Sequence, residues 1–120
     1  MRFNQVVISP IVTSPVETPI FGQRLKQARL KMALSQKQLG EKIGLEESAA
    51  ARISRYESGT HEPPVRTARD LADALKVPLG YLYCDNDHLA EVILMAGGLS
   101  DEQLKKLATL IKDIDASKAK

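Results

Sequence analysis

Apolar residues recur at helical intervals from position 21 onwards. Phe21, Leu25, Ala28 and Met32 fall at i, i+4, i+7 and i+11, which is one helical face. Ser35-Gln36-Lys37-Gln38 then has the form of a capping box: the Ser35 hydroxyl accepts from an orphan backbone N–H while Gln38 reaches back to the cap residue. A helix is predicted to start at Gln36, with Leu39 and Ile43 inward and Gly44 as its terminator. The next helix is predicted over about 48–58. Ala49, Ile53 and Tyr56 share one face, Ser48, Ala51, Arg52 and Arg55 share the other, and Gly59 ends it. Pro63 and Pro64 introduce another helix, with Pro in its first turn; it is predicted to bury Val65, Ala68, Leu71, Ala72 and Leu75. Pro78 restarts the chain into a short helical turn through Leu82.

The two ends read differently. Residues 1–20 are rich in Val, Ile, Thr and Pro, and Pro10, Pro15 and Pro19 interrupt any regular element. Val6, Val7 and Ile8 could form a short strand in an irregular N-terminal arm, either mobile or paired with a partner subunit. Over residues 84–120, Leu89, Val92, Ile93 and Ala96 mark one helix that ends at Gly97-Gly98. Ser100-Asp101-Glu102-Gln103 is a second capping box. The last helix carries Leu104, Leu107, Ile111 and Ile114 at alternating steps of three and four, a short a/d seam, and the tail after Asp115 is expected to fray. This C-terminal pair of helices could dimerise the chain or pack on the helices before it. The predicted fold class is all-α, in three sections: 1–20, 21–83 and 84–120.

Composition narrows the function. The 120 residues are 43% hydrophobic but only 4% aromatic, so the core must be aliphatic. One cysteine excludes a disulfide framework and a Cys-rich zinc site. No apolar run reaches the roughly 18–20 residues of a membrane span, and the N-terminus does not read as a secretory signal. A cytoplasmic protein without membrane attachment is the expectation. No nucleophile elbow, phosphate-binding glycine loop or zinc-protease motif occurs, so no enzyme, cofactor, metal or catalytic residue is predicted. Cys84, Asp85, Asp87 and His88 do cluster, with Cys84 and His88 at i, i+4. They could serve a metal or redox sensor, although a lone cysteine there also fits a small hydrophobe.

The net charge of +2 is a weak signal until it is divided. Residues 21–83 hold eleven Lys/Arg and seven Asp/Glu, residues 84–120 five and seven, and residues 1–20 one of each. A section of charge +4 is therefore masked by one of −2.

A helix pair joined by a tight glycine turn can set its second helix in a DNA major groove while the first lies across the backbone. The second helix then needs donors outside and apolar residues inside. Arg52 and Arg55 are such donors at i, i+3, with small Ser48 and Ala51 beside them. Alone, this pattern equally describes an ordinary solvated face.

The residues themselves go further. Arg24-Leu25 through Arg29, Leu34-Ser35-Gln36-Lys37-Gln38-Leu39-Gly40, Ile53-Ser54-Arg55-Tyr56-Glu57-Ser58-Gly59, Pro63, and Leu71-Ala72-Asp73-Ala74-Leu75-Lys76-Val77-Pro78 occur in order. From Phe21 to Tyr83 the chain resembles the lambda-repressor-like helix-turn-helix family, also called Cro-like or xenobiotic-response-element. The resemblance implies a five-helix DNA-binding domain in a transcriptional regulator, of phage-type or autoregulating repressor character. It implies phosphate contacts by Gln36, with Lys37 adding charge, and by the loop residues Thr60 and His61. It implies base contacts by Ser48, Ala50, Ala51, Arg52 and Arg55, and a structural ion pair between Arg29 and Glu57. Partners implied are double-stranded DNA and a second copy of the chain as a homodimer, for which the seam of Leu104, Leu107, Ile111 and Ile114 is the candidate dimerisation surface. The alternative is an antitoxin or protein-interaction module that meets a toxin or other regulator and keeps the helix-turn-helix for autoregulation or as a scaffold.

Two departures from the family pattern stand out. The stretch from Gly44 to Ile53 is about three residues longer than the commonest spacing, so either the turn is longer or the recognition helix gains a turn at its start. Gly40 stands where the family usually has Ala, which should allow close helix packing at a modest cost in helix propensity.

Overall fold

The structure is a computed structural model that describes residues 18–118. The proposed strand at Val6–Ile8 and most of the expected N-terminal arm lie outside the described residues. Among the described residues the chain is all-α, with no strand. The helices are α1 (Ile20–Lys31), α2 (Gln36–Lys42), α3 (Ala49–Ser58), α4 (Val65–Leu75), α5 (Leu79–Tyr83), α6 (Asp87–Gly97) and α7 (Asp101–Lys118).

The local signals act where they occur. Ser35 Oγ accepts from Gln38 N–H at 3.0 Å, and Gln38 Oε1 accepts from Ser35 N–H at 2.8 Å, so α2 starts at Gln36 with both halves of the capping box made. Ser100 and Gln103 repeat the arrangement at the start of α7. Asn86 caps α6 by accepting from Leu89 N–H at 2.9 Å.

The core lies between α1, α2, α3, α4 and α5. Leu25, Leu39, Ile53, Leu71 and Leu82 are its largest fully buried side chains, and Phe21, Tyr56 and Tyr81 fill the gaps between them. Each such aliphatic side chain contributes about 1.5–3 kcal/mol by leaving water. Three buried positions come from the first expected face (Phe21, Leu25, Ala28), and Met32 is half-buried at its end.

The structure differs from the sequence reading at three places. Val65 is 61% exposed, because Pro64 is the N-cap of α4 and not a residue of its first turn. Buried Pro63 takes the inward place. In α6, Leu89 and Val92 are exposed, while Ala90, Ile93 and Leu94 face the core. Of the stripe read from the sequence, Ile93 packs on the core and Ala96 is half-buried, while Leu89 and Val92 point outward. Finally, helix α7 does not fray after Asp115 but runs to Lys118, with acidic Asp101 and Glu102 in its first turn and Lys118 in its last, both favourable to the helix dipole.

Candidate nucleic-acid interface

Helices α2 and α3 form the pair on which the interface rests. The residues additional to the common spacing lengthen the turn and add nothing to the helix. The link runs from Ile43 to Ser48, Leu45 N–H donates to Gly40 C=O at 2.9 Å, and α3 begins only at Ala49. Gly44 and Ser48 both have positive φ, +86° and +59°. Ser48 is the N-cap of α3 but makes no side-chain cap; its hydroxyl donates to Glu47 C=O instead.

The two helices approach closely at Gly40. A Cβ there would lie 2.7 Å from Ala49 Cβ and 3.0 Å from Ala49 O, so glycine is required by contact with the first turn of α3. At the other end Gly59 closes α3 with φ +84°.

Helix α3 buries Ala49, Ile53, Tyr56 and Glu57. Its other side exposes Ala51, Arg52 and Arg55, with Ala50 half-buried at the edge. Arg52 Nη2 donates to the Tyr56 hydroxyl at 3.4 Å, so a core residue steadies a surface cation. Ser48, Arg52, Arg55 and His61 line one open depression, walled by Tyr56 and Glu62. The following loop is tied back to the helix. His61 N–H donates to Arg55 C=O at 3.2 Å, and the Ser58 and Thr60 hydroxyls share a hydrogen bond of 2.8 Å.

A buried network holds the pair to α1. Arg29 donates to both carboxylate oxygens of Glu57, Nε to Oε2 at 2.6 Å and Nη2 to Oε1 at 3.0 Å. Its Nη1 donates to Leu34 C=O at 2.9 Å. Gln36 Nε2 donates to Glu57 Oε1 at 3.1 Å, which fixes the amide at the start of α2 and leaves it a second N–H. Lys37 stands exposed beside it.

The four α7 residues of the seam lie on another part of the chain, and α7 buries no residue. Among the described residues no group of His, Cys, Asp or Glu is placed to hold a metal. In the Cys84–His88 cluster, Asp87 is bound by Arg24 Nη2 at 2.9 Å, and Cys84 Sγ lies 3.5 Å from Asn86 O.

Arg24 is a structural residue that sequence reasoning missed. It is 3% exposed, donates Nε to Cys84 C=O at 2.9 Å, and clamps α1 to the start of α6. The available signal was its position three residues after Phe21, on the inward face.

Comparison with known proteins agrees with this geometry. A family model described as helix-turn-helix matches residues 25–82. The solved structure of transcriptional regulator BswR superposes with a TM-score of 0.74 at 46% identity, covering 80% of this chain and 96% of that one. This chain belongs to the lambda-repressor-like helix-turn-helix family. A curated relative described as an uncharacterized transcriptional regulator in the ATPase CF(0) region, from Rhodospirillum rubrum, is 34% identical over 64 residues. That match spans 53% of this chain and 56% of the relative. In helix-turn-helix terms α2 is the first helix, residues 43–48 are the turn and α3 is the second helix. None of the described helices is long and apolar enough to cross a membrane.

Proposed function

We propose that this protein is a sequence-specific transcriptional regulator that binds double-stranded DNA as a homodimer, in the manner of an autoregulating or phage-type repressor. The observation that carries the reading is the exposed Arg52–Arg55 pair on a helix whose opposite face is locked into the core. Arg55, with Arg52, Ala51, Ala50 and Ser48, reads base edges in the major groove. Gln36, Lys37, Thr60 and His61 contact phosphate, and the Glu57 carboxylate holds the Gln36 amide ready to donate. Residues 21–83 form the reading head, whose +4 balance suits a polyanion.

Residues 84–120 join two copies. The supporting observation is that α7 leaves Leu104, Leu110, Ile111 and Ile114 exposed, Ile114 at 65%. Leu107 on the same helix is half-buried. Leu89, Val92 and Met95 of α6 extend the same apolar character. A monomer with an amphipathic helix that buries nothing gains little from forming it. Two reading heads multiply the specificity of one.

The test is selection from random duplexes by the full chain. The proposal predicts enriched sites made of two inverted half-sites about one helical turn apart, and a dimer by sedimentation. A monomer, or enrichment of no sequence, contradicts it. Should the α6–α7 surface instead serve another protein, the chain sediments as a monomer and dimerises on no DNA.

A further inference from the structure

A cavity of about 180 Å³ opens between the start of α1, the end of α3 and the loop before α4. Phe21 and Tyr56 form its floor, and the Phe21 and Tyr83 rings meet at 5.2 Å between centroids with an interplanar angle of 48°. Pro19 and Pro63 flank it, and His61 and Glu62 stand on its rim. Of the residues assigned to DNA contact, only His61 lines it.

Its size and walls select an occupant. An apolar cavity of about 150 Å³ holds one benzene, whereas drug-sized ligands need roughly 300 Å³ or more. The space therefore fits a single ring. Aromatic walls favour a ring in tilted or edge-to-face contact over an alkyl chain of equal volume. The exposed Glu62 carboxylate on the rim accepts a hydrogen bond and repels an anion. Burial first, and then the Glu62 carboxylate, push the Tyr83 hydroxyl above its ordinary pKa of 10.0.

The cavity also has a wall in common with the recognition surface. Tyr56, His61 and Glu62 line both this space and the depression that carries Arg52 and Arg55. Tyr56 contributes its ring to one side and accepts from Arg52 Nη2 on the other.

We propose that this cavity binds a small neutral aromatic molecule bearing one hydrogen-bond donor, of the phenol class, and that the shared wall of Tyr56, His61 and Glu62 transmits its binding to the arginine surface. The binding half stands independently of the DNA reading; the coupling half rests on it.

The experiment is titration of the full chain with phenol, followed by NMR shifts, with benzoate as the anionic control. Expected are saturable shifts at residues 19–22, 56, 59–63 and 83, at about millimolar phenol or below, together with movement of the Arg52 side-chain resonances. Tyr83→Ala should weaken binding about tenfold, Glu62→Gln should weaken it less, and benzoate should not bind. In a duplex-binding assay, saturating phenol should change affinity about fivefold or more. Absence of saturation overturns the site. So do shifts unaltered in both variants, or contacts in the free chain from Val6, Val7 or Ile8 to the Phe21 ring, which would make the chain's own arm the occupant. Phenol binding with unchanged duplex affinity overturns the coupling. A chain that binds no duplex counts against the DNA reading and leaves the titration to decide the cavity.

Discussion

The Glu57 carboxylate accepts two N–H groups from Arg29 and one from Gln36, so one buried charge ties α1, α2 and α3 together. Glu57→Ala would leave Arg29 charged and buried, at a cost of about 3–5 kcal/mol. Urea denaturation should show that loss, with the midpoint lowered and the slope unchanged. The surface residues should behave differently. Arg55→Ala should cost about 1–3 kcal/mol of specific affinity and relax the sequence preference, while Gln36→Ala should weaken all duplexes evenly. Competition binding on matched and scrambled duplexes separates the two; an identical specificity profile for both variants contradicts their assigned roles. The tyrosines add a pH dependence. Burial, opposed by Arg24 and assisted by Asp87, raises the Tyr81 pKa, and burial raises that of Tyr83. The neutral forms are favoured in the folded state, so their stabilisation is intact below pH 10 and is lost as pH rises through the raised folded values. Thermal melts should show a decline above about pH 10 that Tyr81→Phe reduces. The Arg29–Glu57 pairing was legible through the family resemblance. Arg24 was not, because an arginine in an amphipathic helix reads as solvated unless its partners are known. Those partners, Cys84 C=O and Asp87, lie some sixty residues away.

Helix starts were legible because capping chemistry is local. Ser35 and Ser100 each bond within three residues of themselves, so sequence alone places them. Which face of a helix is covered depends on neighbours, and in α6 the reading was only half right. In α6 the core accepts small Ala90 with Ile93 and Leu94, and Leu89 and Val92 are left outside. The turn between α2 and α3 was ambiguous for a related reason. Length alone cannot distinguish a longer loop from an added helical turn, and the left-handed backbone at Ser48 decides for the loop. Gly40 makes an element-scale test. Its replacement by Ala gains up to about 1 kcal/mol in helix propensity, yet forces a Cβ against Ala49. Overpacking of that kind costs about 1–3 kcal/mol. Gly40→Ala should therefore lower the melting temperature, and a rise would show that α2 and α3 have room to separate.

At the scale of the molecule, charge and apolar surface are segregated. The +4 section carries α3, and the −2 section carries the exposed stripe of α7. On the proposed reading, repulsion between an acidic C-terminal section and DNA would keep that section away from the duplex and free to meet a second copy. Ile111→Asp in the middle of the stripe should convert a dimer to a monomer in sedimentation without lowering the melting temperature of the reading head. The central claim, however, is that α3 reads DNA through Arg52 and Arg55. Fluorescence anisotropy of the full chain against the DNA upstream of its own gene tests it most directly, compared with a scrambled duplex and repeated with both arginines changed to Ala. The account predicts tight, salt-dependent binding to the upstream duplex, weaker binding to the scrambled one, and loss of the difference in a double variant that remains folded. Equal binding to both duplexes by the unaltered chain, or an undiminished difference in the double variant, would contradict it.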